Sequence, residues 1–438
     1  MNATTQGAVV LVTTLLVLLS GIPVAFGLGA ISVVFLVVFQ GLGALHVVAE
    51  TFYAGLDEFT LVSIPMFVMM GAAIGSSPAG KDLYEALDRW LYRLPGGLVI
   101  SNIGACALFA ALTGSSPACC AAIGKMGIPE MRRRGYSDEI ATGSICAGGT
   151  LGILIPPSIT FILYGIATET SIGRLFIAGI VPGIMLTLLF MAWTLFAVWR
   201  KGVHVHAPDF RFSWRQKFEA LPKITPFLAV IAGVMVVLYG GVATPSEAAG
   251  VGAALCVALA VVVYRMWKAR DWWQILRDTM RESVMILMII AASVLFGYML
   301  TSLYLTQTLA QAITELHVNR WALMALINVF LLVCGFFIPP AAIILMTSPI
   351  LLPIITAAGF NPVWFGVIMT INMEIGLIHP PVGLNIYIVQ AIVPSVPVTR
   401  VMIGTLPYVL CMMLAIVLLC IFPDIATWLP NRLMGSVH

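Results

Sequence analysis

The 438-residue chain is 61% hydrophobic and only 9% charged, whereas a typical soluble domain is about 25% charged. This composition excludes a soluble protein and indicates one that crosses a membrane several times. The net charge of +3 is small, so the positions of the charges are more informative than their sum.

Apolar segments long enough to cross a bilayer, which takes about 20 residues, occur in both halves of the chain. The first 20 residues carry no positive charge, unlike a cleavable signal peptide, and are predicted to form the first span of the mature protein. The predicted spans are 4–20, 22–40, 58–76, 138–165 and 172–200 in the first half, and 222–240, 245–266, 282–302, 361–391 and 399–422 in the second.

Two further apolar segments, 98–127 and 321–356, are too long for one span and are interrupted by turn residues. The interruptions read TGSSP and GFFIPP, so each segment is predicted to be a re-entrant hairpin. The spans 138–165 and 361–391 each contain a pair of prolines, which predicts a helix that breaks at membrane depth. The fold class is therefore an all-α polytopic membrane protein.

The charges orient these segments. Five crossings and one hairpin in each half place every lysine and arginine on one side except Arg174, Arg320 and Arg432. The positive-inside rule makes the charged side cytoplasmic, so both termini are predicted to be periplasmic. Residues 77–97 are predicted to form an amphipathic helix on the cytoplasmic surface, and Arg132–Arg134 a topological anchor facing anionic lipid.

An internal repeat relates the two halves. A shift of 224 residues places LGILIPP of the first broken helix over IGLIHPP of the second, and the first hairpin tip over the second. Because each half crosses an odd number of times, the second copy is inverted, an architecture typical of secondary transporters. The predicted units are a first inverted repeat at 1–200, a cytoplasmic linker at 201–221 and a second inverted repeat at 222–438.

The breaks predict binding sites made of main chain. Non-helical backbone at membrane depth is tolerated where it is buried in protein or lines a cavity. A broken helix offers free amides, with roughly +0.5 of an elementary charge, to an anion and free carbonyls to a cation such as Na⁺. Pro157, Pro381 and Pro117, the last behind a candidate cap at Ser116, are each predicted at the first position of a restarting arm, where the missing amide costs little. The alternative is a set of proline kinks packed against neighbouring helices.

Four segments resemble the large, DctM-like membrane subunit of the tripartite ATP-independent periplasmic (TRAP) transporters. They read TGSSPACCAAIGKMGIPEMRRRGY, GGTLGILIPPSI, ATPSEAA and IGLIHPPVGLN, and the similarity spans nearly the whole chain. The resemblance implies a sodium-driven importer of organic acids that works by an elevator movement in the bacterial inner membrane. It also implies two partners, a small four-span membrane subunit and a periplasmic substrate-binding protein.

The resemblance also implies two sodium sites. The first would be built by the first hairpin tip and the first broken helix, with the residues Ser115, Ser116, Gly149, Thr150 and Gly152. The second would be built by the corresponding elements of the second half, with Gly335, Pro339, Ala341, Met373 and Gly376. One departure is Ile338, which stands where the family often has an aspartate, and another is His379, where threonine is frequent.

Substrate is expected to contact helix ends and small polar groups, since basic residues are nearly absent from the apolar segments. The candidates are Ser116, Thr150, Pro157, Asn372, His379, Pro381 and Asn385. Asn372 and Asn385 could instead bond across helices, and His379 could couple to protons or simply line the path. Two roles are open for Glu374: it is linked to a cation or orients the substrate, or it is a structural hydrogen-bonding group. Glu247 follows Pro245 and is expected to cap a helix rather than bind an ion.

The predicted function is therefore the transport subunit of a sodium-coupled importer of carboxylates, such as C4-dicarboxylates or sugar acids, with Na⁺ and no organic cofactor. The alternatives are a stand-alone symporter that needs no binding protein, an ion channel, and an intramembrane enzyme. The sequence contains no nucleotide loop, catalytic triad or metal-ligand spacing, and the eight cysteines lie in apolar segments as packing residues.

Overall fold

The computed structural model describes residues 3–91, 96–200, 213–305, 308, 319–380 and 383–435. All regular structure in these ranges is helical, as the composition predicts. The helices of the first half are α1 Ala3–Leu19, α2 Val24–Gln40, α3 Leu45–Leu56, α4 Ser63–Gly75, α5 Ala79–Leu91, α6 Gly97–Thr113, α7 Ser116–Arg133, α8 Asp138–Thr150, α9 Ile159–Thr168 and α10 Ile172–Arg200. Those of the second half are α11 Trp214–Tyr239, α12 Pro245–Val262, α13 Ala269–Ser302, α14 Arg320–Gly335, α15 Pro340–Ala357, α16 Pro362–Ile378, α17 Leu384–Ile392, α18 Val398–Ile421 and α19 Asp424–Met434.

Local sequence explains where these helices begin. At α12, the Thr244 side chain accepts from the Glu247 amide, while the Glu247 carboxylate accepts from the Thr244 amide at 2.8 Å. This reciprocal pair is a capping box, and it confirms the capping role expected for Glu247. Asn361 accepts from two amides at the start of α16, and Pro362 occupies its first turn.

Six of the described helices are long and apolar enough to cross a membrane, and they are α10, α11, α12, α13, α15 and α18. A further apolar pair, Leu42–Leu56 and Phe59–Gly75, bends by 58°, as a broken span or a re-entrant loop does. The predicted span 58–76 is the second limb of this bent pair. The remaining predicted crossings are helices of 17 residues or fewer, α1 and α2, and the two broken pairs.

Two boundaries differ from the sequence prediction. Residues 214–221, assigned to the linker, are the first turns of α11 because Ser213 and Gln216 form a second capping box; residues 201–212 lie outside the described ranges. Helix α13 begins at Ala269 rather than 282, since its charged first turns continue the apolar part without a helix breaker. The short helix α19 was not expected at all.

The helix pairs α6–α7 and α14–α15 lie where the sequence predicts the two hairpins; α15 has the length of a full span, and the re-entrant course of both pairs stays a prediction. Helices α6 and α7 are joined by Gly114 and Ser115 and pack against each other, and α14 and α15 are joined by residues 336–339. The amphipathic helix α5 packs on α6, α7 and α11. The breaks separate α8 from α9 and α16 from α17.

The halves interlock through the broken helices. Helix α7 of the first hairpin packs on α17, the second arm of the second broken helix. Helix α15 of the second hairpin packs on α9, the second arm of the first broken helix. Each hairpin therefore contacts a broken helix of the other half, so residues more than 200 positions apart meet in the interior.

Candidate functional site

The tip of the first hairpin is a tight turn. Gly114 adopts a left-handed conformation with φ +57°, which a glycine accepts without strain, and Ser115 is extended. Helix α7 begins at Ser116, so Pro117 lies at its second position and Ser115, not Ser116, is the cap residue, without a side-chain capping bond; both points correct the sequence prediction. A Cβ on Gly114 would lie 2.9 Å from Pro157 O, so the tip abuts the first break.

The first break lies directly beside this tip. After Thr150 the chain makes one 3₁₀ turn over Leu151–Ile153, and α9 restarts at Ile159 behind Ser158. Ser158 accepts from the Phe161 amide and donates to Ile153 O, which satisfies groups on both sides of the break. Pro157 therefore lies within the break and not at the first position of the restarting arm, which corrects the sequence prediction.

Glycines let the tip and the break touch. A Cβ on Gly152 would lie 2.8 Å from Ser115 O and 3.0 Å from Ser116 N, and a Cβ on Gly149 would lie 2.7 Å from the Cys120 Cβ. The structure thus brings Ser115, Ser116 and Gly152 together, and places Gly149 against α7. Thr150 is buried and donates to Ala147 O at 2.7 Å, which leaves the lone pairs of its oxygen free for a further donor or cation.

Asn385, a residue of the other half, also contacts the first tip and the helix before the first break. Asn385 Nδ2 donates to Ser116 Oγ at 2.8 Å and to Cys146 O at 3.0 Å. Because Cys146 O can only accept, this bond determines which way the Asn385 amide points. Asn385 is fully buried, and no donor among the described residues reaches its Oδ1. Asn385 therefore bonds across helices, which was one of the two predicted alternatives, and its Oδ1 remains an acceptor without a donor among the described residues.

The second tip meets the second break in a similar way. Gly335 ends α14, and a Cβ built on it would lie 3.6 Å from the Gly376 Cα and 3.8 Å from Asn372 O. Met373 is fully buried on α16. Pro339 is exposed and Ala341 is partly buried against the core. The structure therefore joins Gly335 to Gly376.

Polar groups around the second break have definite neighbours. Asn372 Nδ2 donates to Asn328 Oδ1 at 2.6 Å and to Ile368 O at 3.1 Å, while its own Oδ1 has no partner in the described ranges. His379 stacks on Phe336 with ring centroids 4.1 Å apart. The carbonyl of Ile378, at the end of α16, accepts from Thr405 of α18 at 3.0 Å. Pro381 lies outside the described residues.

Glu374 is the most unusual of these groups. Its side chain is fully buried in α16, and no described residue donates to either carboxylate oxygen. A structural hydrogen-bonding role, one of the two alternatives, therefore lacks its partner within the described part of the chain. Buried acceptors without donors call for an ion, a water or a proton. The same applies to Asn372 Oδ1 and Asn385 Oδ1.

A cavity of about 510 Å³ lies beside the first hairpin and was not anticipated from the sequence. Thr113, Ser115 and Ile159 line it near the hairpin tip. The face of α7 lines it with Ala118, Ala121, Ala122 and Lys125, and its remaining charged groups are Lys81, Asp278 and Glu282. Of the residues predicted to bind substrate or sodium, only Ser115 lines this cavity. The spacing of 118, 121, 122 and 125 on one helical face was a signal in the sequence.

Sodium prefers oxygen ligands, and the first tip offers them. The hydroxyls of Ser116 and Thr150 and the orphan Oδ1 of Asn385 are neutral oxygens in a buried setting. No group of three or more His, Cys, Asp or Glu side chains forms a metal site among the residues that the structure describes. This donor set fits an alkali cation better than a transition metal.

Comparisons with known proteins agree with this architecture. Residues 11–425 match the family described as the tripartite ATP-independent periplasmic transporter, DctM component. The chain is 37% identical to the C4-dicarboxylate TRAP transporter large permease protein DctM of Pseudomonas aeruginosa, over 86% of this chain and 87% of the relative. It is 33% identical to the isethionate TRAP transporter permease protein DctMQ of Oleidesulfovibrio alaskensis, over 86% of this chain and 59% of that longer relative.

A solved structure shares the fold. The Alcanivorax borkumensis YdaH transporter superposes with a TM-score of 0.62 over 90% of each chain, at 16% sequence identity. This likeness concerns the arrangement of helices alone.

Proposed function

The chain belongs to the DctM component family of the tripartite ATP-independent periplasmic transporters, and we propose that it is the subunit that carries organic acids across the inner membrane together with Na⁺. It is a transporter permease and not an enzyme. The proposed substrates are carboxylates, with C4-dicarboxylates first, because the Pseudomonas relative is named for them. Its proposed partners are a small four-span membrane subunit and a periplasmic binding protein.

One observation carries the sodium proposal. At the first tip, Ser116 and Asn385 join the hairpin of one half to the broken helix of the other, and the Asn385 Oδ1 remains a buried acceptor without a donor. An unpaired buried acceptor costs about 1–3 kcal/mol. A sodium ion at this corner would remove that cost and would also order the tip against the break.

The proposed movement is of the elevator type. The moving element would comprise both hairpins and both broken helices, α6–α9 and α14–α17, and the other helices would form the scaffold. The cavity supports this division because it is lined both by α7 of the proposed moving element and by α4 and α13 of the proposed scaffold. Since the charge asymmetry makes its Lys81 and Lys125 end cytoplasmic, the described state would be open to the cytoplasm.

The experiment is uptake of radiolabelled succinate into proteoliposomes that contain this chain and the small subunit. We expect uptake to require both the periplasmic binding protein outside and an inward Na⁺ gradient, with K⁺ unable to replace Na⁺. Uptake without the binding protein would favour a stand-alone symporter. Current without saturable counterflow would favour a channel, and absence of succinate uptake under all conditions would refute the C4-dicarboxylate assignment.

A further inference from the structure

The cavity beside the first hairpin holds a cation without a partner. Lys125 lines the cavity from α7, and none of the described residues forms an ion pair or hydrogen bond with its ammonium group. Lys81 at the same cavity lies 3.8 Å from Glu85, a distance at the limit of an ion pair. Asp278 and Glu282 line the cavity from α13, and Asp278 accepts two bonds of 3.0 Å from Gln274.

The lining between Lys125 and the hairpin tip on α7 is apolar. Ala118, Ala121 and Ala122 occupy it with methyl groups only. Helix α7 starts at the tip, so its side chains lean back toward Ser115. An extended carbon chain could lie along these alanines with one polar end at the tip and the other at the lysine.

The dimensions suit a short dicarboxylate. Ten positions of helix separate Ser115 from Lys125, a rise of about 15 Å at about 1.5 Å per residue. The outermost oxygens of an extended C4 dicarboxylate are roughly 6 Å apart by ordinary bond lengths, and a hydrogen bond of about 2.8 Å at each end brings the distance that the acid can bridge to about 12 Å. A lysine side chain that leans back toward the tip by about 3 Å closes the remaining distance.

We propose that Lys125 is the specificity-determining cation of this cavity, which binds one carboxylate of a C4-dicarboxylate while the other carboxylate lies at the Thr113–Ser115 tip. This inference rests on the proposed function and names the residue that selects the second carboxylate. Asp278 and Glu282 repel an anion from the α13 wall, so the acid lies on the α7 side. A charge-assisted bond to a carboxylate is stronger than a neutral one, which makes Lys125 the discriminating contact.

The test is binding of radiolabelled succinate to the purified complex of this chain and the small subunit, with competition by monomethyl succinate. We expect Lys125→Gln to weaken succinate binding by about tenfold and to remove most of the preference for succinate over its monoester. Lys125→Arg should retain that preference. The matched control is Lys268→Gln at the exposed start of α13, which should bind both compounds like the wild type.

Glu282→Gln separates this role from an ion-pair gate. If Lys125 binds substrate, removal of the opposing negative charge leaves succinate binding unchanged or tighter, whereas a Lys125–Glu282 gate predicts that both variants fail alike. A Lys125→Gln protein that elutes as a folded complex and keeps the full preference for succinate overturns the proposal. If wild-type protein binds no succinate, the substrate class under the proposed function fails, and the Lys125 assignment fails with it.

Discussion

Gly152→Ala tests whether contact between the first tip and the first break creates the sodium site. The new Cβ would meet three backbone atoms, Ser115 O at 2.8 Å, Ser115 C at 2.9 Å and Ser116 N at 3.0 Å. No side chain can rotate away to relieve this clash. The tip must retreat until these separations reach the 3.4 Å of ordinary contact.

The size of the effect follows from this overlap. Overpacking of a closely packed interior costs about 1–3 kcal/mol, and each 1.4 kcal/mol changes an equilibrium about tenfold. If the cost falls on the closed, sodium-bound tip, the Na⁺ concentration for half-maximal uptake should rise on the order of tenfold or more. The measurement is succinate uptake into proteoliposomes over a series of Na⁺ gradients at constant ionic strength.

Gly173→Ala is the matched control. Gly173 is buried in α10, and the nearest atoms to its new Cβ would be Met434 Cε at 3.8 Å and Ser171 Oγ at 3.9 Å. Its Na⁺ dependence should equal that of the wild type. If Gly152→Ala is folded and shows the same Na⁺ dependence as Gly173→Ala, contact between tip and break does not set sodium affinity, and the assignment of the first site is wrong.

Three further predictions concern the contacts that hold these elements together. Asn385→Leu removes the acceptor Oδ1 together with the bond to Ser116, so the Na⁺ concentration for half-maximal uptake should rise about tenfold; an unchanged Na⁺ dependence would contradict it. Asp88→Asn breaks the half-buried ion pair with Arg134, whose Nη2 lies 3.0 Å from Asp88 Oδ2, and should cost about 1–2 kcal/mol of stability, seen as a lower thermal unfolding temperature. Burial and the Asp88 charge raise the pKa of Tyr136 from its usual 10.0 to about 12. The protonated phenol therefore stabilises the fold fully below pH 10.0 and loses this contribution as the pH rises toward about 12. Between these pH values the unfolding temperature of Tyr136→Phe should therefore fall less than that of the wild type.

Most of the fold could be predicted because lipid imposes strict rules on the backbone. Glycine, proline and serine clusters within apolar runs locate both hairpin tips and both breaks to within a few residues. Prediction failed where amphipathic or capped segments extend a helix beyond its apolar part, at 214–221 and at the start of α13. The helix at 45–56 was missed because its 12 residues are too short for a span of their own, and it joins the next helix across a bend. The inverted relation of the halves remains a prediction.

The candidate site likewise contains some residues that could be predicted from the sequence and others that could not. Gly152 and Ser116 were assigned from the sequence because the family resemblance implies them as sodium ligands, although Ser115 and not Ser116 caps α7. The partner of Ser116 is 269 positions away, and no local pattern pairs a hairpin tip with Asn385. Lys125 was assigned only to the cytoplasmic side, since its charge on an amphipathic helix does not reveal what that face contacts.

The sequence by itself therefore determined the class of protein, the helical segments and the places where helices stop, since these depend on hydropathy and on backbone chemistry within a few residues. The tertiary structure alone decided which ends meet. The tertiary structure brings α7 and α13 to the lining of one cavity. It also directs Asn385 to the first tip and leaves Glu374 buried without a donor among the described residues. Such contacts arise from packing among helices that are distant in the chain. The net free energy of this packing depends on all of these helices together, so no single segment of the sequence encodes it.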